Sequence, residues 1–204
     1  MPLLRRYKRL LGPAVLFAAL FLPGYLYQDG SSAAQSLSSL SGLSRNLLFG
    51  ISQIALLFFI MAIRRAPDSP DYGLSGIRIR DIPLGLAIFA GILVIAAPVA
   101  MLGSRSESAS PPFIEMISGD PSSLLNGLLL FVFCLVTGYR EELFFRAYLI
   151  SELDASGMRL SVAACISGVI FGLGHLYQGL PGFAGTALIG VFLAFIFLKT
   201  RNVH

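Results

Sequence analysis

The sequence predicts an all-α fold: a polytopic integral membrane helix bundle of about six transmembrane helices, both termini cytoplasmic, forming a single membrane domain over residues 1–204. Three observations carry that expectation. Charged residues make up 13% of the chain and hydrophobic ones 55%, with a mean hydropathy of +0.78. A water-soluble domain carries about 25% charged residues, so a soluble surface could not be covered. The apolar residues also fall in repeated runs of about 20, the length that crosses a hydrocarbon core of about 30 Å as a helix. Finally, Lys and Arg concentrate in alternate loops, as the positive-inside rule asks of a multi-pass protein. Stretches such as Leu84 to Leu102 show no period-two alternation, which favours helices over a closed barrel.

The six apolar segments run from Leu10 to Tyr27, Leu47 to Ile63, Ile82 to Leu102, Leu124 to Ile150, Leu160 to Tyr177 and Phe183 to Leu198. The first follows Arg5, Arg6, Lys8 and Arg9, as the apolar part of a secretory signal would. It is long, however, holds Pro13 and Pro23, and has no small-x-small cleavage site before Gln28. It is therefore read as a membrane helix, in which proline is tolerated when neighbours satisfy the freed carbonyls. The Ser-rich stretch Asp29 to Asn46 and the stretch Gly103 to Ser123, with Pro111 and Pro112, read as solvated connectors. There is no internal repeat. On one side of the membrane lie eleven Lys and Arg (Arg5, Arg6, Lys8, Arg9, Arg64, Arg65, Arg78, Arg80, Arg159, Lys199, Arg201); on the other lie Arg45 and Arg105. This places both termini in the cytoplasm and the protein in the cell's inner membrane. The net charge of +4 and pI near 9.3 thus reflect topology and give no warrant for a nucleic-acid partner. Cys134 and Cys165, inside apolar segments without a CxxC or Cys/His cluster, are expected to be buried free thiols. Gly168, Gly172 and Gly174 give the fifth segment a face that another helix backbone can approach.

The chemistry concentrates in the fourth segment. Arg140, Glu141, Glu142 and Arg146 interrupt an otherwise apolar helix. A charge at mid-membrane costs about 2.5 to 3.5 kcal/mol on insertion scales, so these groups must face protein or water and pair. Glu142 and Arg146 are spaced i,i+4 with Glu first, the better orientation for an intrahelical pair. Glu141 lies about 100° around an α-helix from Glu142 and has no partner at that spacing. One acid is tied and the other is free to act. The alternative is a cluster at the cytoplasmic membrane boundary, snorkelling into headgroups; Phe144, Phe145, Tyr148, Leu149 and Ile150, which continue the apolar helix beyond the acids, argue against it.

His175, in Phe171-Gly-Leu-Gly-His175, is the one histidine among the six apolar segments. The short loop Ser151 to Arg159 makes the fourth and fifth segments antiparallel neighbours. Counting back from that loop at about 1.5 Å per residue, Glu141 lies about 14 Å deep and His175 about 22 Å, a gap that helix tilt can close. A lone histidine is ordinarily a packing residue; beside a free glutamate it becomes a candidate for catalysis.

Glu-Glu-x-x-x-Arg at Glu141, Glu142 and Arg146, followed on the next apolar helix by Phe-x-x-x-His at Phe171 and His175, resembles the CPBP family of intramembrane glutamic proteases, which includes the type II CAAX prenyl endopeptidases and the bacterial Abi proteins linked to bacteriocin immunity. The resemblance covers roughly Phe131 to Lys199, within a site region of 124–199. It implies peptide-bond hydrolysis within the membrane, with Glu141 as the general base that deprotonates water, His175 holding or polarising that water, and Glu142 and Arg146 bracing the site. It implies a membrane-anchored protein or peptide substrate, prenylated or carrying a C-terminal sorting signal. Glu and His together also suit zinc, but a catalytic zinc usually takes three protein ligands and the sequence has no HExxH, so a metal-free mechanism without cofactor is expected.

The chain departs from the family pattern in one respect. A further helix bearing His-x-x-x-Asn or His-x-x-x-Asp, which in the family stabilises the oxyanion, is not found by His204, and Asn202 and His204 have the wrong spacing for it. Tyr177 and Gln178 sit at the external end of their helix. Loss of an oxyanion donor can cost about 100- to 1,000-fold in turnover. The expectation is an enzyme that is weak or incomplete over 1–204, with a missing final part, a donor from a partner subunit and an inactive protein all left open. Two other classes also remain: a non-catalytic membrane immunity or binding protein that keeps the scaffold, and a transporter using buried carboxylates, although paired broken helices and repeat symmetry are absent from the sequence.

Overall fold

The structure, a computed structural model, describes residues 2–26, 37, 39–63, 70–76, 78–103 and 121–204. All regular structure among these residues is helical. Helix α1 (Pro2–Leu20) and the short α2 (Leu22–Leu26) form the first segment; Pro13 is carried inside α1. Pro23 lacks the N–H that would reach back to Ala19, and the regular helix is interrupted two residues earlier, at Phe21. Helix α3 is Leu40–Ile63, and α4 is Ile82–Gly103, entered through a single 3₁₀ turn, Ile79–Asp81. The fourth segment is α5 (Pro121–Glu141), then a π-helix (Glu142–Ile150), then α6 (Ser151–Ala155). Helix α7 is Leu160–Leu173, and after a 3₁₀ turn at Leu176–Gln178 the last helix, α8, is Gly179–Thr200.

Several boundaries correct the sequence reading. Helix α3 begins at Leu40, so the first expected connector is helical over its last seven residues; 29–36 and 38 lie outside the described residues. Residues 104–120 of the second connector also lie outside them, as do Arg64, Arg65 and Arg105 of the charge count. The fourth segment is not one α-helix. The fifth ends at Leu173, before His175. Among the described helices, Leu40–Ile63 and the run Leu176–Thr200 are long and apolar enough to cross a membrane, while Arg9–Leu20, Ile82–Pro98 and Leu160–Leu173 are shorter apolar helices.

The π-helix is the centre of the bundle. Every residue from Leu143 to Ile150 is buried. Phe144 and Phe145 pack on Phe21 with ring centroids 4.7 and 5.1 Å apart, and Phe145 meets Phe171 of α7 edge-on at 5.2 Å. Such aromatic contacts add about 0.5–1.5 kcal/mol each beyond area burial. Ser167 Oγ of α7 donates to the Phe145 carbonyl at 2.8 Å, tying α7 to the π-helix as antiparallel neighbours. The bundle's outside is apolar: Val94, Leu180 and Leu48 are 73%, 75% and 68% exposed. Cys134 and Cys165 are free thiols, as expected, but both are exposed on this outer surface rather than buried. They share that surface with exposed apolar neighbours such as Leu135 and Val162, 57% and 44% exposed.

Helices α7 and α8 approach through small residues. A Cβ on Gly168 would lie 2.7 Å from the Val191 backbone nitrogen, and one on Gly172 would lie 2.7 Å from the Ala187 Cβ. Gly174, expected on the same face, instead packs against Tyr25 of α2, where a Cβ would meet the phenol at 2.7 Å. Overpacking of such contacts typically costs about 1–3 kcal/mol. Gly168→Ala is therefore expected to lower the detergent melting temperature by several degrees, whereas Gly127→Ala, whose Cβ meets nothing within 4 Å, leaves it unchanged or slightly raised.

Candidate active site

The last turn of α5 and the first turn of the π-helix deliver four charged side chains in seven residues. Arg146 is wholly buried, and its Nη1 lies 3.2 Å from Glu142 Oε1, the i,i+4 pair that the spacing predicts. Its Nη2 donates to the Gly190 carbonyl of α8 at 3.5 Å, and its guanidinium carbon sits 4.6 Å from the centre of the Phe171 ring. One guanidinium thus joins the π-helix, α7 and α8. A burial this complete places Arg146 inside protein.

Glu141 is not free, which corrects the sequence reading. Its Oε1 lies 3.4 Å from Arg140 Nη2, so each acid of the pair has its own arginine. Neighbouring side chains do not face each other on a regular α-helix, but the helix changes from α to π at this point. Arg140 in turn donates from Nη1 to Gln53 Oε1 of α3 at 2.9 Å, and its guanidinium lies 5.1 Å from the centre of the Phe21 ring. Gln53 is 3% exposed and donates from Nε2 to the Leu20 carbonyl at 3.1 Å. Sequence reasoning missed Gln53; its signal was an amide in the middle of an apolar run, which in a membrane helix calls for a partner.

His175 lies past the end of α7, with φ −115 and ψ 14, so the backbone turns its ring out of the helical row. The ring is 5.4 Å from Phe171 and 6.3 Å from Tyr177. Its Nδ1 lies 3.4 Å from the Phe171 carbonyl. Phe171 therefore bridges the two motifs, with Arg146 over its ring and His175 beside it. The structure brings His175 to the same side of α7 as the charged cluster without a hydrogen bond or ion pair to Glu141 or Glu142 among the described residues. Tyr25 is a second residue the sequence did not single out. Its hydroxyl donates to the Ile170 carbonyl at 3.2 Å and packs against Gly174, next to His175.

Glu142 also borders a cavity of about 590 Å³ between α4 and α8, whose polar lining includes Arg78, Asp81, Thr200, Asn202 and His204. Asn202 and His204 are thus folded against the bundle: the His204 ring stacks on Tyr139 at 5.7 Å, one residue before Arg140. Tyr177 and Gln178 are exposed and hydrogen-bonded to each other. No group of three or more His, Cys, Asp or Glu placed to hold a metal ion occurs among the described residues.

Removing the guanidinium that Glu142, Gly190 and Phe171 share is expected to cost stability. Breaking one partner of a buried pair typically costs about 3–5 kcal/mol. Glu142 retains some solvent contact, so Arg146→Ala should fall near the lower end, about 3 kcal/mol. Thermal unfolding in detergent measures this, and a variant that melts like the parent would show that the pair does not hold the bundle together.

No curated protein and no solved structure matches the chain. Residues 123–204, which carry the π-helix, both arginine–carboxylate pairs and His175, match the family model described as type II CAAX prenyl endopeptidase Rce1-like, in agreement with the resemblance to the CPBP family drawn from Glu141, Glu142, Arg146, Phe171 and His175.

Proposed function

We propose that this protein is an intramembrane endopeptidase of the CAAX-protease type, which hydrolyses a peptide bond of a membrane-anchored protein or peptide by means of a glutamate-activated water. The observation that carries this reading is a pair of adjacent carboxylates, each matched to its own arginine, held at the start of a buried π-helix inside an apolar bundle. Charges in such surroundings are costly, so those found there point to a site, and π-helical turns are frequent at functional sites. The chain crosses the inner membrane six times with both termini cytoplasmic, and the apolar outer faces meet lipid. The substrate is prenylated or carries a C-terminal sorting signal, in keeping with the family match over residues 123–204.

Glu141 is the general base. It takes a proton from a water whose oxygen attacks the scissile carbonyl carbon, and returns that proton to the departing amine as the C–N bond breaks. His175 holds the water from the other side; without a direct bond between the two side chains, a bridging water fits the roles assigned to both. Glu142 and Arg146 fix the π-helix against α7 and α8, so that Glu141 has a fixed place relative to Phe171 and His175. The mechanism uses no metal ion.

Glu141→Gln keeps the side chain's shape and removes the proton acceptor. Cleavage of a quenched, farnesylated CAAX peptide in proteoliposomes should then fall by at least about 100-fold, the lower range for a positioned base, with insertion and melting unchanged. Full cleavage by this variant would remove Glu141 from the mechanism. EDTA and phenanthroline should leave both activity and melting as they are; stoichiometric zinc in the purified protein, with loss of activity on chelation, would overturn the metal-free mechanism.

A further inference from the structure

We propose that Gln53 of α3 is a positioning residue for the catalytic base, acting on Glu141 through Arg140; this rests on Glu141 being the base. The geometry leaves the amide little freedom. The Leu20 carbonyl can only accept and the Arg140 guanidinium can only donate, so Nε2 must face the first and Oε1 the second, at 3.1 and 2.9 Å. The amide orientation is thereby fixed by its partners. Gln53 is buried to 3% exposure, and both ends of its side chain are occupied.

Arg140 has few other holds. Among the described residues its Nε has no hydrogen-bond partner, and beyond Gln53 its guanidinium meets the Phe21 ring face and Glu141 itself. A flexible arginine stem with one neutral hydrogen bond, one ring face and one carboxylate is located chiefly by the hydrogen bond, because the ring face tolerates sliding and Glu141 is what has to be positioned. The Gln53 oxygen thus aims the guanidinium so that Nη2 meets Glu141 Oε1. The Leu20 carbonyl carries the relay back to the end of α1, where Phe21 packs both under Arg140 and against the π-helix residues Phe144 and Phe145. The first and second segments, which contribute no residue to the two motifs, set the base's position through this one amide.

The test uses the full chain in proteoliposomes with the quenched farnesylated CAAX peptide. Gln53→Met keeps the volume and removes both bonds. It should lower kcat about ten- to a hundredfold, the cost of a catalytic group misplaced by about 1 Å, with KM unchanged. In an Arg140→Met background the same substitution should change kcat no further, since the relay is already cut. A purely structural role would give additive losses. Gln53→Glu guards against a variant that fails to fold. Its protonated carboxyl reproduces both bonds and its ionised form draws Arg140 away from Glu141, so its kcat should fall with rising pH where the parent's does not. A readout without substrate is the infrared carboxylate band assigned to Glu141 by its absence in Glu141→Gln, which should shift in Gln53→Met. If Glu141→Gln still cleaves, the proposed function fails. If Glu141→Gln is inactive while Gln53→Met keeps the parent's kcat and carboxylate band, or the losses are additive, the relay alone fails.

Discussion

A guanidinium buried without solvent is the constraint around which the remaining structure is arranged. Taking Arg146 out of water costs several kcal/mol unless its charge is matched and its donors engaged. Glu142 supplies the countercharge from one turn away on the same helix. The second partner is a backbone carbonyl, and its owner is a glycine: a Cβ on Gly190 would lie 2.9 Å from the Gly168 Cα and 3.0 Å from the Phe171 ring. The glycine at 190 therefore does two things at once. It lets α7 and α8 close, and it leaves Phe171 in the place where its ring face receives Arg146. Small-residue packing and the charged site are one arrangement, because the contact that joins the helices also sets the platform beneath the arginine.

The π-helix gives this arrangement its register. Nine residues of i→i+5 turns are long for a feature that mostly occurs as a single-turn bulge. The wider turn rotates each residue less than an α-turn does. That keeps Glu142 and Arg146 close together along one face while Phe144 and Phe145 pack toward Phe21, and Phe145 toward Phe171. The Phe145 carbonyl, engaged by Ser167, is anchored from outside the helix, which fixes the π segment laterally against α7. A site that must hold two carboxylates in adjacent positions, each with a different arginine, is served by a backbone that changes its pitch between them.

What the sequence disclosed follows from which signals are local. The apolar runs, the charge cluster and the Glu142–Arg146 pair depend on spacing along one helix, and spacing is visible in a sequence. The partner of Glu141 was hidden because the rule that neighbours diverge holds for the α-helix, and nothing local to Arg140 and Glu141 announces the change to π. His175 was placed on the helix, although Gly172 and Gly174 just before it are the residues with which helices commonly terminate; the packing role assigned to those glycines masked the stop. Gln53 and Tyr25 come from elements that carry no motif, and their contribution depends on tertiary approach alone. The cysteines were misplaced for another reason, since in an apolar surrounding an exposed thiol is no costlier than a buried one.

Beyond the C-terminal end of the π-helix, polar ties follow the same logic as the arginines. Glu152, 1% exposed on α6, accepts a hydrogen bond from the Tyr72 hydroxyl at 2.7 Å, and Ser151 donates to the Asp71 carbonyl at 2.9 Å, so the segment 70–76 is pinned beneath the π-helix. Gly73 there has φ +65, and a Cβ would lie 2.9 Å from the Arg201 carbonyl oxygen; its own carbonyl accepts from Val203 N at 2.9 Å. Only glycine meets both demands at this point. Arg201 itself turns left-handed, φ 47, as it leaves α8, which brings Asn202 and His204 back toward Glu142 and Tyr139. The turn that satisfies the end of α8 is thus also the one that lines the cavity beside Glu142. Glu142 has Arg146 on one side and a polar-lined cavity beside it, whereas Glu141 is paired with Arg140, which Gln53 holds in turn. The two glutamates thus share a residue type but not their surroundings, and it is on surroundings that the proposed division of roles between them rests.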